Sequence, residues 1–262
     1  MPDIRVNSFN ELLDQLYADT WQAPLGRFRS SFAYRGTTSI HDDLMTTLRR
    51  LRGNFADHEG HLLRNFRKYA SRDSVPGDSQ WNWLAVAQHH GLPTRLLDWS
   101  FSPFVAMHFA TQIVEAYDTD GAIWMINYVQ THKDLPEPLR KRLEREQADV
   151  FTADMLSEVA PTLPQFDRLA RKDPFLIFFD PPSLDQRIVN QFALLSCMSS
   201  ATAEITDWLA THADHWRRII IPAKLKWEVR DKLDQANISE RVLFPGLDGL
   251  CMWLKRYYSP RK

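Results

Sequence analysis

The spacing of apolar positions changes several times along the chain, and each change marks an element. Ser8 and Glu11 form an S-x-x-E capping box ahead of Leu12, Leu13, Leu16 and Tyr17, a stripe that predicts a helix. After a loop around Pro24 and Gly26, residues 29–36 read as a strand. Residues 42–70 read as mostly helical, with His58, Glu59, His61, Arg64, Arg67 and Lys68 on a solvated face opposite Leu62, Leu63, Phe66 and Tyr69. A polar loop follows over 71–80. An amphipathic helix over 81–89 is then closed by Gly91, a residue suited to the left-handed position after a helix. Residues 94–99 read as a short strand and 103–116 as a buried helix with Pro103 in its first turn. Strands are expected at 121–128, 175–179, 186–197 and 217–221, the last stopped by Pro222. Residues 136–160 read as charged and helical. A helix over 223–235, a turn over 244–249 and a last helix through Tyr257 complete the pattern.

Strands and helices are interspersed, and neither an internal repeat nor a low-complexity linker separates them. This favours one α+β domain with a mixed or antiparallel central sheet flanked by helices, carrying a helical insertion at about 129–170. The 262 residues suffice for a sizeable core, and 12% aromatic content predicts that rings fill much of it. A formal net charge of −1 argues against a surface that is basic as a whole. Cys197 and Cys251 each lie in an apolar stretch, which fits core packing in a reducing compartment better than a disulfide framework. No apolar run of signal-peptide or membrane-spanning type is present, so the expectation is a soluble, cytoplasmic protein that does not engage a membrane.

Candidate chemistry is concentrated in three segments. Residues 88–100 hold Gln88, His89, His90, Thr94, Arg95, Asp98 and Ser100 around a turn fixed by Gly91 and Pro93. Polar groups on a rigid turn beside a sheet suit a binding or catalytic site. The structural alternatives are that Asp98 caps the following helix, that Arg95 pairs with a carboxylate elsewhere, and that His89 is a hydrogen-bonded helix-terminal group. The second segment is Tyr34-Arg35-Gly36-Thr37-Thr38-Ser39. Here a guanidinium fork, a glycine and three hydroxyls could grip an anion, or Arg35 could lie in a buried ion pair. In the third, read as a strand, Arg187, Val189 and Gln191 share one face. Gln191 carries only a dipole, so it would orient a group and would not act as a base. His58 and His61 are one residue short of the H-E-x-x-H spacing, neither cysteine sits in a CxxC pair, and no metal is expected. No P-loop, G-x-G-x-x-G or G-x-S-x-G occurs.

Tyr34-Arg35-Gly36, the run 88–100 and Pro103-Phe104-Val105-Ala106-Met107-His108-Phe109-Ala110 together resemble the FRG-domain family, named for its aromatic-Arg-Gly tripeptide. The resemblance continues through 187–192, 219–222 and 243–249. It implies an FRG domain over 1–262, with its core at about 28–128 and 174–256. Two residues depart from the family pattern: Tyr34 replaces Phe, and Ala193 replaces a Gly two residues after Gln191. A more distant likeness, in pattern order alone, is to the ADP-ribosyltransferase fold. Arg35, then Ser100 ahead of Ala106-x-x-Phe109-Ala110, then Gln191 follow that order. The likeness implies that Arg35 holds the phosphates of NAD, that Tyr34 or Trp99 stacks on nicotinamide, and that Gln191 stands where a catalytic Glu usually lies.

These readings set the expected site. Arg35, His89, Asp98 and Gln191 are its catalytic candidates. Tyr34, Arg35, Gly36, Thr37, Thr94, Arg95, Trp99 and Ser100 are its candidates for binding NAD. The corresponding function is an ADP-ribosyltransferase-like or NAD-hydrolysing effector of a bacterial toxin or anti-phage system, acting on a protein or nucleic-acid acceptor. With Gln in place of Glu, hydrolysis of NAD or binding without catalysis stays open. The rival is a non-catalytic module that binds a nucleotide or nucleic acid, or regulates a partner. It draws on the basic segments at Arg49-Arg50, 64–68, Arg140-Lys141 and Arg217-Arg218. A nuclease or phosphodiesterase lacks metal-ligand spacing and ranks behind both.

Overall fold

The computed structural model describes residues 3–71, 75–183 and 185–260, so residues 72–74 of the expected polar loop lie outside the described residues. Its centre is a mixed eight-stranded sheet flanked by helices, an α+β arrangement. The strands are β1 (Ile4–Arg5), β4 (Phe32–Thr37), β5 (Leu96–Ser100), β6 (Gly121–Asn127), β7 (Phe151–Thr152), β8 (Leu176–Asp180), β9 (Ala193–Met198) and β10 (Trp216–Ile221). Their order across the sheet is β1-β10-β6-β4-β5-β9-β8-β7. The two edge strands pair in parallel and all inner pairs are antiparallel. A separate two-stranded hairpin, β2 (Trp21–Gln22) with β3 (Arg27–Phe28), stands outside it.

The sheet consists of two blocks. β4 pairs with β6 from Phe32 to Thr37, and β5 pairs with β9 along its whole length. Between the blocks, β4 and β5 pair only at Tyr34 with Ser100. The strands part beyond that point, leaving a fork in the middle of the sheet.

The cores follow the same division. On one face, Leu96, Leu195, Cys197, Ile177 and Phe179 pack under helices Gln80–His89 and Ala153–Val159. On the same face of the other block, Phe32, Tyr34, Ile123, Met125, Ile219 and Ile221 pack under helices Phe9–Tyr17, Pro103–Ala110 and Lys226–Gln235. The opposite face is aromatic, with Trp99, Trp124, Tyr128, Phe178 and Trp208 in one cluster.

Most elements expected from the apolar pattern are present, and the departures have local causes. The 42–70 stretch forms two helices, Thr47–Arg50 and Phe55–Tyr69, on either side of Arg52 and Gly53 in left-handed backbone. Ser8 caps the first helix through the Glu11 amide, but the Glu11 carboxylate accepts from the Asn7 amide and not from that of Ser8. The expected strand over 186–197 is split. Asp185 accepts from the Ile188 amide and starts helix Gln186–Asn190, and Phe192, in left-handed backbone, then turns the chain into β9. Arg187, Val189 and Gln191 therefore do not share a strand face. Within 129–170 the regular elements are helices except for β7, which joins the sheet beside β8. Cys197 is buried as expected for core packing, whereas Cys251 is exposed.

Gly36 is fixed by packing. A Cβ built there would lie 1.9 Å from the Ala106 carbonyl oxygen and 2.6 Å from the Ala110 nitrogen. Only a residue without a side chain lets helix Pro103–Ala110 sit this close to β4. Gly36→Ala should destabilise the fold by about 1–3 kcal/mol or more, because rigid backbone must move. A urea melt with an unchanged midpoint would contradict this.

A second prediction concerns acid. His132 donates from Nδ1 to the Asp149 carbonyl (2.8 Å) and accepts at Nε2 from the Phe178 amide (2.9 Å), which only a neutral ring can do. Burial pushes its pKa from an ordinary 6.5 down to about 4. Between these values the unfolded chain binds the proton and the folded chain does not. Stability should therefore fall as pH drops from about 6.5 to about 4, by up to about 1.4 kcal/mol per pH unit for this group. His132→Leu should flatten that slope in urea melts taken across the range; an unchanged slope would contradict the assignment.

Candidate functional site

Where β4 and β5 part, a cleft of about 390 Å³ opens. Helix Gln80–His89 lines it with Ala85, Gln88 and His89, and Phe109 of helix Pro103–Ala110 borders it on the other side. Arg35, Asp98, Ser100 and Gln191, which are far apart in the sequence, all line this cleft.

Arg35 alternates with Tyr34 along β4, so its side chain leaves the face that holds Tyr34. Its guanidinium turns into the fork, where one Nη donates to the Asp98 carbonyl oxygen at 2.5 Å. Its Nε is buried and has no hydrogen-bond partner among the described residues. Burial lowers its pKa from the ordinary value; Asp98 and Asp42 oppose that shift and Arg50 adds to it. Arg35 lines the cleft with its guanidinium anchored on backbone, which presents a cationic group to an acceptor there.

Asp98 is exposed to the cleft and held in place from behind. Thr94 Oγ1 donates to Gln88 Oε1 (2.5 Å), and Gln88 Nε2 donates to Asp98 Oδ2 (2.8 Å). This relay fixes which end of the Gln88 amide faces the carboxylate. Asp98 does not cap the next helix; Ser102 does, through the Val105 amide. Ser100 donates to the Gln191 carbonyl (2.7 Å) and accepts from the Ser102 amide (2.9 Å), which ties β5 to the segment before β9. The Gln191 side-chain nitrogen donates to the Leu243 carbonyl at 2.9 Å, so this amide is anchored to the C-terminal helices. His89 Nε2 lies 2.8 Å from Asp185 Oδ2. Burial would raise the Asp185 pKa, but the Ile188 amide and His89 together bring it below the ordinary value.

Tyr34, Gly36, Thr37 and Trp99 also line the cleft, whereas Thr94 and Arg95 do not, and several of these side chains are engaged with protein partners. Tyr34 is 1% exposed, packs in the core and hydrogen-bonds Ser30. Trp99 is 4% exposed on the far face of the sheet, with its indole N–H on Ser196 Oγ. Gly36 serves the helix contact. Thr94 acts behind Gln88, and the Thr37 hydroxyl faces the Ala122 carbonyl at 3.4 Å.

Arg95 is 5% exposed and closed into ion pairs with Glu59 and Asp167, the latter at 2.5 Å. Burial alone would lower its pKa, but the two carboxylates raise it well above the ordinary value. Arg95 thus pairs with carboxylates from elsewhere in the chain and has a structural role. Two arginines not expected at the site line the cleft. Arg50 pairs with Asp43 (3.0 Å), and Arg187 is exposed beside the Phe244 ring. Arg187 stood in the third candidate segment and Arg50 in a basic one, but only the fold brings both to the cleft that holds Arg35.

The basic segments that could have formed a nucleic-acid surface are largely paired off. Arg49 bonds Glu204, Arg67 bonds Asp78, Lys141 bonds Glu137, Arg217 bonds Asp19 and Arg218 bonds Asp3. No helix among the described residues is long and apolar enough to cross a membrane.

Comparison with protein families matches residues 30–119 to the FRG domain. The matched span holds Tyr34-Arg35-Gly36, the run 88–100 and helix Pro103–Ala110, and it stops short of Arg187 and Gln191. No curated protein and no solved structure matches the chain.

The two arginines should separate by experiment. Arg95→Leu leaves Glu59 buried without its cation and should cost about 3–5 kcal/mol of stability. Arg35→Leu, which removes a group with one anchoring bond and one unmet donor, should lower the urea midpoint far less. Equal losses in paired urea melts would contradict this division of roles.

Proposed function

We propose that this chain, which carries an FRG domain over residues 30–119, binds a nucleotide phosphate on Arg35, and that the nucleotide is NAD. One observation carries the reading. The Arg35 guanidinium lines the fork, anchored on the Asp98 carbonyl, next to an exposed carboxylate, Asp98, that a hydrogen-bond relay orients. Arg50 and Arg187 add cationic character around the pyrophosphate that Arg35 would fork onto. The cleft therefore offers both parts that cleavage of a nicotinamide–ribose bond needs: a phosphate anchor, and a carboxylate beside the developing positive charge on the ribose.

Asp98 is the better candidate for that second role. The Gln191 amide is engaged with the Leu243 carbonyl and carries no charge, whereas the Asp98 carboxylate faces the cleft. His89, paired with Asp185, borders the same space and would position a water or an acceptor hydroxyl. On this reading the protein is an NAD glycohydrolase or ADP-ribosyltransferase-like effector of the kind that serves bacterial toxin or anti-phage systems. Tyr34, Trp99, Thr94 and Arg95 shape the site from behind.

Incubation with NAD should release nicotinamide, and calorimetry should register NAD binding. Arg35→Ala should weaken binding about 10- to 150-fold, the value of a charged hydrogen bond of about 1.5–3 kcal/mol. Asp98→Asn should keep binding and lower release by about a hundredfold or more. Neither release nor binding in the wild type would sink the proposal. Binding without release would retain the nucleotide site and remove the catalytic role of Asp98.

A further inference from the structure

Away from the cleft, the fold brings together three metal-ligand side chains that the sequence keeps apart. Asp134 follows helix Tyr128–Lys133, His212 ends helix Ile205–Thr211, and His215 lies one turn later, its amide on the His212 carbonyl. One ligand atom from each lies within 4.8 Å of the other two. We propose that Asp134, His212 and His215 form a site for a divalent transition-metal ion of the zinc type.

The two imidazoles are arranged as ligands. His212 lies flat on the Trp208 ring, with centroids 3.9 Å apart and planes at 11°. Its Nδ1 faces the Trp208 carbonyl oxygen at 2.8 Å, so that nitrogen carries the proton and Nε2 keeps its lone pair. An imidazole whose second nitrogen donates to a backbone carbonyl has its tautomer and orientation fixed, as metal-binding histidines do.

His215 is buried, with Nε2 at 3.4 Å from Asp134 Oδ2 and 3.9 Å from Asp214 Oδ1. These separations exceed the roughly 2.7–2.9 Å of a charge-assisted hydrogen bond. The 3.4 Å from Asp134 suits instead two ligands on one ion. Ligand atoms about 2.0–2.1 Å from a tetrahedral zinc lie about 3.4 Å from each other. His215 Nδ1 is buried and unbonded among the described residues, and Nε2 is the nitrogen that faces the carboxylates.

Two imidazoles and one carboxylate favour zinc-type ions over magnesium or calcium, which take oxygen ligands. With three protein ligands, a fourth position remains for water or an anion. Asp134 and His212 also line an open groove of about 1390 Å³ that carries Arg140, Arg168, Arg171 and Lys172. The proposed site shares no residue with the cleft at Arg35, so it stands or falls independently of NAD binding.

The test is calorimetric titration of the full chain with Zn²⁺, after treatment with a chelator and its removal. One equivalent should bind with Kd below about 10 µM. Co²⁺ in place of zinc should give the intense visible bands of a four- or five-coordinate ion. The exposed ligand change Asp134→Asn and the partly exposed His212→Gln should each weaken binding at least about tenfold while circular dichroism stays unchanged. The control double variant His58→Gln, His61→Gln should bind like the wild type. Absence of zinc binding by the wild type, undiminished binding in both ligand variants, or loss in the control would each overturn the proposal.

Discussion

The single pairing of Tyr34 with Ser100 is the joint on which the rest of the molecule depends. Every other pair of adjacent inner strands is laddered over several residues, so the sheet is two stiff blocks held at one point. The joint is fixed from both sides. Gly36 lets helix Pro103–Ala110 press onto β4, and Ser100 bonds both the turn into that helix and the Gln191 backbone. A sheet fully paired across its middle would have no space for a ligand there. The fork creates that space and leaves the Asp98 carbonyl for a side chain to satisfy.

Arg35 fills this role, and its environment differs from that of Arg95 in a way that separates function from structure. Arg95 is buried among two carboxylates and has its charge neutralised by the fold. Arg35 is anchored by a carbonyl, which carries no net charge, so burial works against its ionised form. A phosphate in the cleft would add counter-charge to what Asp98 and Asp42 supply. The same logic orders the carboxylates: Glu59 is consumed by the fold, while Asp98 is oriented by Gln88 and left facing the cleft.

Much of this was legible in the sequence. The strands around Tyr34-Arg35-Gly36 and Leu96-Leu97-Asp98, the Pro103 helix and the buried strand from Gly121 all follow from apolar spacing and punctuation by Gly and Pro. β1, β2, β3 and β7 were missed because each is two residues long and a pair carries no period. The helix at Gln186–Asn190 was misread because alternation over five residues fits either structure, and the Asp185 cap decides it. For the site, spacing singled out Arg35 and Asp98 but could not say which way neighbouring side chains point. Tyr34 and Trp99 look like stacking residues until strand alternation turns both into cores. Arg95 looks like a ligand group until Glu59 and Asp167 arrive from 36 and 72 residues away. Long-range partners of this kind leave no trace in local pattern, and the Asp134, His212 and His215 cluster was invisible for the same reason.

The central claim is that the Arg35 guanidinium receives a nucleotide phosphate in the fork. Side-chain ¹⁵N–¹H NMR of the arginine Nε–H groups, followed during titration with NAD, tests it at that side chain. The Arg35 resonance should shift saturably and exchange more slowly with water at high NAD, while that of Arg95, already bonded to Glu59, should stay in place. An Arg35 resonance that does not move at NAD concentrations that saturate the protein would contradict the account.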